Sequence, residues 1–290
     1  MDTMNLKNVY AAINARAAAQ IETEPRSRDL DQLLLGGKVV MNYQPQFDLK
    51  TGEVRGLEAL LRATDANGRP LNPAELIDRA ERGGVMHDFG DLILRTACAD
   101  YSAMLALGCD IGKLSVNVSP LQLNEYNYAE RVVRTLDHFG VAFADVELEI
   151  VENWSLHDPT LHLDQLQSLA DIGVRLAMDD FGTGHANWLN VLKLPFSTLK
   201  IDRSLISDID QSSDNLAVIT SICSACESMD MTIVAEGISN VEQLALLRQI
   251  GCHVGQGFGL AMPLSADEAM DVEPLEDLGF VNLTLLSPAA

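Results

Sequence analysis

Eight short β-type runs recur along this chain, separated by helical stretches, and that alternation constrains the fold more than any other feature. The runs are "VMNYQPQFDL", "VRGLEALLR", "LSVNVS", "VELEIV", "VRLAMDD", "STLKID", "TIVAEG" and "CHVGQG". Between most of them lie segments such as "PAELIDRAERG", "LHLDQLQSLADIG" and "VEQLALLRQIG", with apolar residues at helical spacing. Strands alternating with helices in this number predict an α/β fold, a (β/α)8 TIM-like barrel. One link differs. "DLKTGEVRG", between the first two runs, is too short for a crossover helix and has hairpin turn chemistry, so an antiparallel first strand is expected. The barrel is expected over residues 31–272. Residues 1–30 read as an N-terminal linker helix or a remnant of an upstream domain, and 273–290 as a C-terminal tail that packs on the barrel or mediates association.

Composition narrows the partners. Of 290 residues 47% are hydrophobic, enough for a sizeable core, and the formal net charge is −22. So acidic a chain is not expected to bind nucleic-acid polymers or an anionic membrane. An anionic small ligand stays possible where metal ions or local lysines and arginines offset the field. The five cysteines include a CxxC, Cys223 and Cys226, inside a helical run without a second pair, so buried reduced thiols are expected. No signal peptide or run of 18 apolar residues is present, which predicts a cytoplasmic chain. His87, His138, His157, His162, His185 and His253 lack paired ligand spacing.

Side chains alternate along a strand, so each run divides into two faces. Leu114, Val116 and Val118 stand against Ser115, Asn117 and Ser119; Val146, Leu148 and Ile150 against Glu147 and Glu149; Leu199 and Ile201 against Thr198, Lys200 and Asp202. Leu57, Ala59 and Leu61 oppose Glu58, Leu60 and Arg62, Asp179 is in register with Arg175 and Ala177, and Glu236 opposes Ala235. With the apolar faces under the helices, acids, an amide and a lysine point into one barrel mouth. Such residues are either solvated rim and internal ion pairs or a site, and carboxylates outnumber the one obvious cation, Lys200. Glu58, Asn117, Glu149, Asp179 and Asp180 are hard oxygen donors, the set that suits Mg2+ or Mn2+. Two adjacent aspartates can each face a different ion, or one can bridge both. Residue type and parity therefore predict a divalent-metal site of hydrolytic type, without naming a substrate.

The motifs, in order, are "EAL" at 58–60 with Arg62 two places on, "NVS" at 117–119, "ELEIVE" at 147–152, "DDFGTG" at 179–184, "LKID" at 199–202, "AEG" at 235–237 and "QG" at 256–257. Over roughly residues 31–270 this set resembles the EAL-domain family of cyclic-di-GMP phosphodiesterases. The resemblance implies a barrel with an antiparallel first strand and hydrolysis of cyclic-di-GMP to linear pGpG with two Mg2+ or Mn2+ ions, Ca2+ being inhibitory. It implies Glu58, Asn117, Glu149, Asp179 and Asp180 as metal ligands, Asp180 holding the second ion. Lys200 would orient the nucleophilic water, and Glu236 would serve as ligand or base. Gln256 would support the site, while Gln44, Leu60, Arg62 and Asp202 would meet the dinucleotide, and Glu152 would steady the loop after the aspartates. A homodimer formed through the barrel and an upstream regulatory domain are also implied. The chain departs from the family pattern at Val151, at Asn153 and in "GHAN" at 184–187, where His185, Ala186 and Asn187 replace more usual residues. The alternative is a catalytically silent cyclic-di-GMP receptor or a protein-interaction module. Degenerate members usually lose an acid, and this chain keeps them all.

Overall fold

A computed structural model describes residues 33–34, 36–151, 159–183 and 188–275. Strands β1 (Lys38–Asp48) and β2 (Val54–Thr64) form the expected antiparallel hairpin, with Gln44 opposite Glu58. Its turn is built by Asp48, whose Oδ1 accepts from the backbone N–H groups of Lys50 and Thr51, both at 2.8 Å. After the short β3 (Pro70–Leu71) come β4 (Lys113–Val118), β5 (Val146–Val151), β6 (Arg175–Phe181), β7 (Thr198–Ile201), β8 (Thr232–Ala235) and β9 (Val254–Gly255). β2, β4, β5, β6, β7, β8 and β9 pair in parallel in that order, and β9 closes on β1 antiparallel through Phe47 and Gly255. The result is a closed eight-stranded barrel. β3 and the short β10 (Leu264–Ser265) add only edge pairings to β2 and β1.

The intervening helices are α1 (Pro73–Arg82), α2 (Met86–Ala106), α3 (Tyr128–Phe139), α4 (Pro159–Asp171), α5 (Trp188–Lys193), α6 (Arg203–Ile206), α7 (Ser213–Ser228), α8 (Val241–Gln249) and α9 (Ala266–Ala269). Their ends follow from local chemistry. Asn72 caps α1 by accepting from the Ala74 N–H, with proline at the first helical position, and Gly140 ends α3 in the left-handed conformation.

The two strand faces separate as alternation requires. Leu114, Val116, Leu148, Ile150, Leu176, Met178, Leu199, Ile201 and Ile233 belong to the continuous apolar core. Each fully buried leucine or isoleucine contributes roughly 1.5–3 kcal/mol. The other face is polar and equally buried: Gln44, Gln46, Glu58, Ser115, Glu147, Glu149, Asp179, Thr198, Lys200 and Gln256 lie there. A structural barrel fills this space with branched aliphatics. Among the described residues no helix is long and apolar enough to cross a membrane. The expected N-terminal helix lies outside the described residues; of the expected tail only 273–275 are described, with the Leu275 N–H donating to Gly52 O at 2.8 Å.

Candidate active site

Lys200 is the centre. β7 carries it inward, fully buried, and its Nζ lies 2.5 Å from Glu149 Oε2, 2.7 Å from Glu236 Oε1, 3.2 Å from Asp179 Oδ1 and 3.4 Å from Glu58 Oε2. The four acids come from β2, β5, β6 and the end of β8, so four separate segments converge on one ammonium. Amides fix the carboxylates around it. Asn117, exposed at the mouth, donates to Glu58 Oε1 at 2.9 Å. Gln256 Nε2 donates to Glu58 Oε2 at 2.6 Å and to Glu236 Oε1 at 3.0 Å. Gln46 Nε2 in turn donates to Gln256 Oε1 at 2.9 Å. Sequence reading missed Gln46, although it shares a strand face with Gln44, and that parity was the available signal.

The glycines of "AEG" and "QG" have a steric reason. At Gly237, with φ 72°, a Cβ would stand 2.4 Å from the Arg203 Cβ, and at Gly257 it would stand 2.2 Å from Ile238 backbone atoms. Only glycine lets the chain turn this closely behind Glu236 and Gln256.

The adjacent aspartates break strand alternation. β6 pairs Met178 with Leu199 and then Phe181 with Ile201, so it gains one residue over β7, and Asp180 has φ 58°. This bulge reverses the outward direction that alternation gives Asp180. One carboxylate oxygen each from Asp179, Asp180 and Glu236 then lies within 4.8 Å of the others. A non-glycine residue held left-handed costs about 1–3 kcal/mol and marks a site where position matters more than comfort.

Five carboxylates and one ammonium cannot neutralise one another. Burial pushes the Glu58 carboxyl up, but the Lys200 charge and the bonds from Gln256 and Asn117 outweigh it and hold it below its ordinary value. Burial and then repulsion from Glu58 drive Glu149 well above the carboxylate range. Burial raises Glu236 to about 8 against the pull of Lys200. Asp180 is raised by burial and by Asp179 and Asp202 beside it. Burial would lower Lys200, yet Glu149, Glu58, Asp179 and Glu236 keep it well above its usual value, so it is a permanent cation. Among the described residues, Glu149 Oε1 is buried with no hydrogen-bond partner, and Asp179 Oδ1 has only its ion-pair contact with Lys200. A buried carboxylate oxygen without a donor, in a set of hard oxygen ligands that share one ammonium, fits divalent cations.

The remaining expected residues fall in different places. Gln44 is buried opposite Glu58 and donates to Ala261 O at 3.3 Å. Leu60 and Arg62 are half-buried further along β2, toward the mouth, with Arg62 donating to Leu61 O at 2.8 Å. Asp202 caps α6, its Oδ1 accepting from the Ser204 N–H at 2.9 Å. Glu152 and residues 185–187 lie outside the described residues. Glu147 points inward but is an internal ion pair with Lys113, the alternative that alternation alone left open. All five cysteines are free, with Cys223 and Cys226 buried on α7.

A closed barrel with one antiparallel strand and an acid-lined mouth defines a class of barrel proteins with a cation-demanding site. Within that class the chain belongs to the EAL domain family, whose model matches residues 27–263. It is 32% identical over 249 residues to the cyclic di-GMP phosphodiesterase NbdA of Pseudomonas aeruginosa, covering 86% of this chain and 31% of that protein. It is 31% identical over 260 residues to the bifunctional diguanylate cyclase/cyclic di-GMP phosphodiesterase MucR of the same organism, covering 90% and 38%. The chain thus spans about a third of the length of these curated relatives. The solved PaMucR phosphodiesterase in complex with c-di-GMP superposes with a TM-score of 0.76 at 32% identity, covering 83% of this chain and 97% of that one.

Proposed function

We propose that this chain is a metal-dependent phosphodiesterase that hydrolyses cyclic-di-GMP to linear pGpG. The observation that carries the reading is the cluster of Glu58, Glu149, Asp179 and Glu236 closed on Lys200, with one buried oxygen, Glu149 Oε1, that no donor among the described residues reaches. Membership of the EAL family and the activity named for NbdA and MucR supply the substrate.

In this reading Glu58, Asn117, Glu149, Asp179 and Asp180 hold two Mg2+ or Mn2+ ions. Such ions activate a water and neutralise the charge that develops on the phosphoryl oxygens. The protein's own groups divide the rest. Lys200 is held protonated by its acids, so it orients the attacking water by donating to it and does not accept its proton. Glu236, beside Lys200 at the mouth, would take that proton once bound cations keep its carboxylate ionised. Gln256, itself braced by Gln46, keeps the Glu58 and Glu236 carboxylates in place. Gln44, Leu60, Arg62 and Asp202 meet the dinucleotide, with the Arg62 fork suited to phosphate. Water adds to one phosphorus, one P–O ester bond breaks, and the ring opens to pGpG. Ca2+, which tolerates looser coordination than Mg2+, would hold substrate without efficient turnover.

The test is incubation of the chain with cyclic-di-GMP and Mg2+ or Mn2+, with pGpG followed by chromatography. Metal-dependent pGpG formation that stops on chelation is expected; no product with either metal refutes the proposal. Tight binding without product would favour a silent receptor.

A further inference from the structure

We propose that Cys223 and Cys252 form a modification site, a dithiol that a small peroxide oxidises to a disulfide. Cys223 lies within α7, and Cys252 in the link between α8 and β9. α7 packs against β8, and β8 pairs in parallel with β9, so the fold brings the helix and the entry to β9 together. Both thiols are buried, at 4% and 5% exposure, and the two side chains meet there. The Cys252 Sγ also lies 3.5 Å from Val254 O, so its one hydrogen has two acceptors, that carbonyl and the Cys223 sulfur. Its approach to solvent is the barrel floor, at the end opposite the Lys200 mouth. A cavity of about 1060 Å3 opens there, and Cys252, Glu227 and Met231 all line it.

The five cysteines are not equivalent. A buried thiol is ordinarily inert, because desolvation keeps it protonated. Burial pushes Cys98 and Cys226 up to about 12, and burial followed by the charge of Asp271 raises Cys109. Cys223 departs from this pattern. The bond from Cys252 holds it below its ordinary value against its own burial, while the same bond and then burial hold Cys252 well above. An acidified sulfur against a protonated one is the arrangement of an attacking and a resolving cysteine. Cys226, one turn further along α7, meets Cys223 through charge. The CxxC spacing is therefore not the reacting pair.

The Cys223 thiolate attacks one peroxide oxygen and the O–O bond breaks. Cys223 becomes a sulfenic acid, and the departing hydroxide takes the proton that Cys223 released, giving water. The Cys252 sulfur then displaces the sulfenic oxygen, which leaves as a second water with the Cys252 proton. Two thiols and one peroxide thus become one disulfide and two waters. This chemistry is independent of the phosphodiesterase reading, since it is read on the sulfurs alone.

The test treats the reduced, chelator-stripped full chain with equimolar hydrogen peroxide and blocks the remaining thiols with iodoacetamide. Tryptic peptides are then mapped by mass spectrometry without reductant. Cleavage after Arg203 and Arg248 places Cys223 and Cys226 in peptide 204–248 and Cys252 in peptide 249–290. The wild type should join these two peptides within one chain, and dithiothreitol should part them. Cys226→Ser should keep the link, and Cys223→Ser should lose it. In Cys252→Ser the Cys223 sulfenic acid should persist and be trapped by dimedone. The wild-type map needs no substitution, so it decides the matter even where a variant folds poorly. The proposal is overturned if the wild type gives no such link, if Cys223 pairs with Cys226 instead, if the link survives Cys223→Ser, or if dimedone labels Cys109 in place of Cys223.

Discussion

Glu147 and Glu149 stand two residues apart on β5, on the same face, and both are completely buried. Their surroundings differ. Toward the floor, Glu147 Oε1 accepts from Lys113 and from Ser115 Oγ at 3.3 Å, and its Oε2 accepts from Thr198 Oγ1 at 2.6 Å. Toward the mouth, Glu149 has Lys200 alone among the described residues, shared with three other acids, and its second oxygen has no partner among them. The same residue type at the same depth is saturated in one place and starved in the other. Burial of a charge does not by itself mark a functional group; the count of donors around it does.

The largest expected contrast is in turnover. Glu149→Gln removes a charge reserved for a cation and should lower the hydrolysis rate about a thousandfold, the equivalent of about 4 kcal/mol. Its metal-free melting temperature should hardly move, because burial already favours the neutral carboxyl there. A wild-type rate in this variant would break the comparison on the mouth side.

Glu147→Gln should do the reverse. Losing the charge that answers Lys113 should lower unfolding free energy by roughly 3–5 kcal/mol in chemical denaturation, as expected for a broken buried pair. Turnover per folded molecule should stay near wild type. A stable but inactive Glu147→Gln would place this residue in the site as well.

A smaller effect separates the two ends by pH. Folded Glu236 keeps its proton to about 8, whereas the unfolded chain releases it near the ordinary 4.5. Between those values the folded state binds more protons, so the stability this group contributes is lost as pH rises through about 8. The metal-free chain should therefore melt at a lower temperature at pH 9 than at about pH 6.5. Saturating Mg2+ should flatten that slope, and Glu236→Gln should reduce it, the remainder coming from Glu149 and Asp180, which are raised in the same direction. A slope unchanged by both would assign it to other groups.

Much of this was legible in the sequence, for physical reasons. The eight strands follow from apolar runs at regular spacing, and the antiparallel β1 follows from a link too short for a helix. Parity placed Glu58, Asn117, Glu149, Asp179 and Lys200 in the mouth because regular strands leave no other choice. Parity could not place Asp180, which reaches the mouth only through a bulge and a left-handed backbone. Nor could it separate Glu147 from Glu149, since that distinction depends on Lys113 and Thr198 arriving from neighbouring strands. The bracing of Gln256 by Gln46 is hidden for the same reason: the partners lie 210 residues apart.

The central claim, that the mouth's unanswered carboxylates exist for divalent cations, is tested most directly by calorimetric titration of Mn2+ into three chelator-stripped proteins. Wild type and Glu147→Gln should bind the ion, and Glu149→Gln should bind it far more weakly. Equal binding by Glu149→Gln and wild type, or no binding by the wild type, would contradict it.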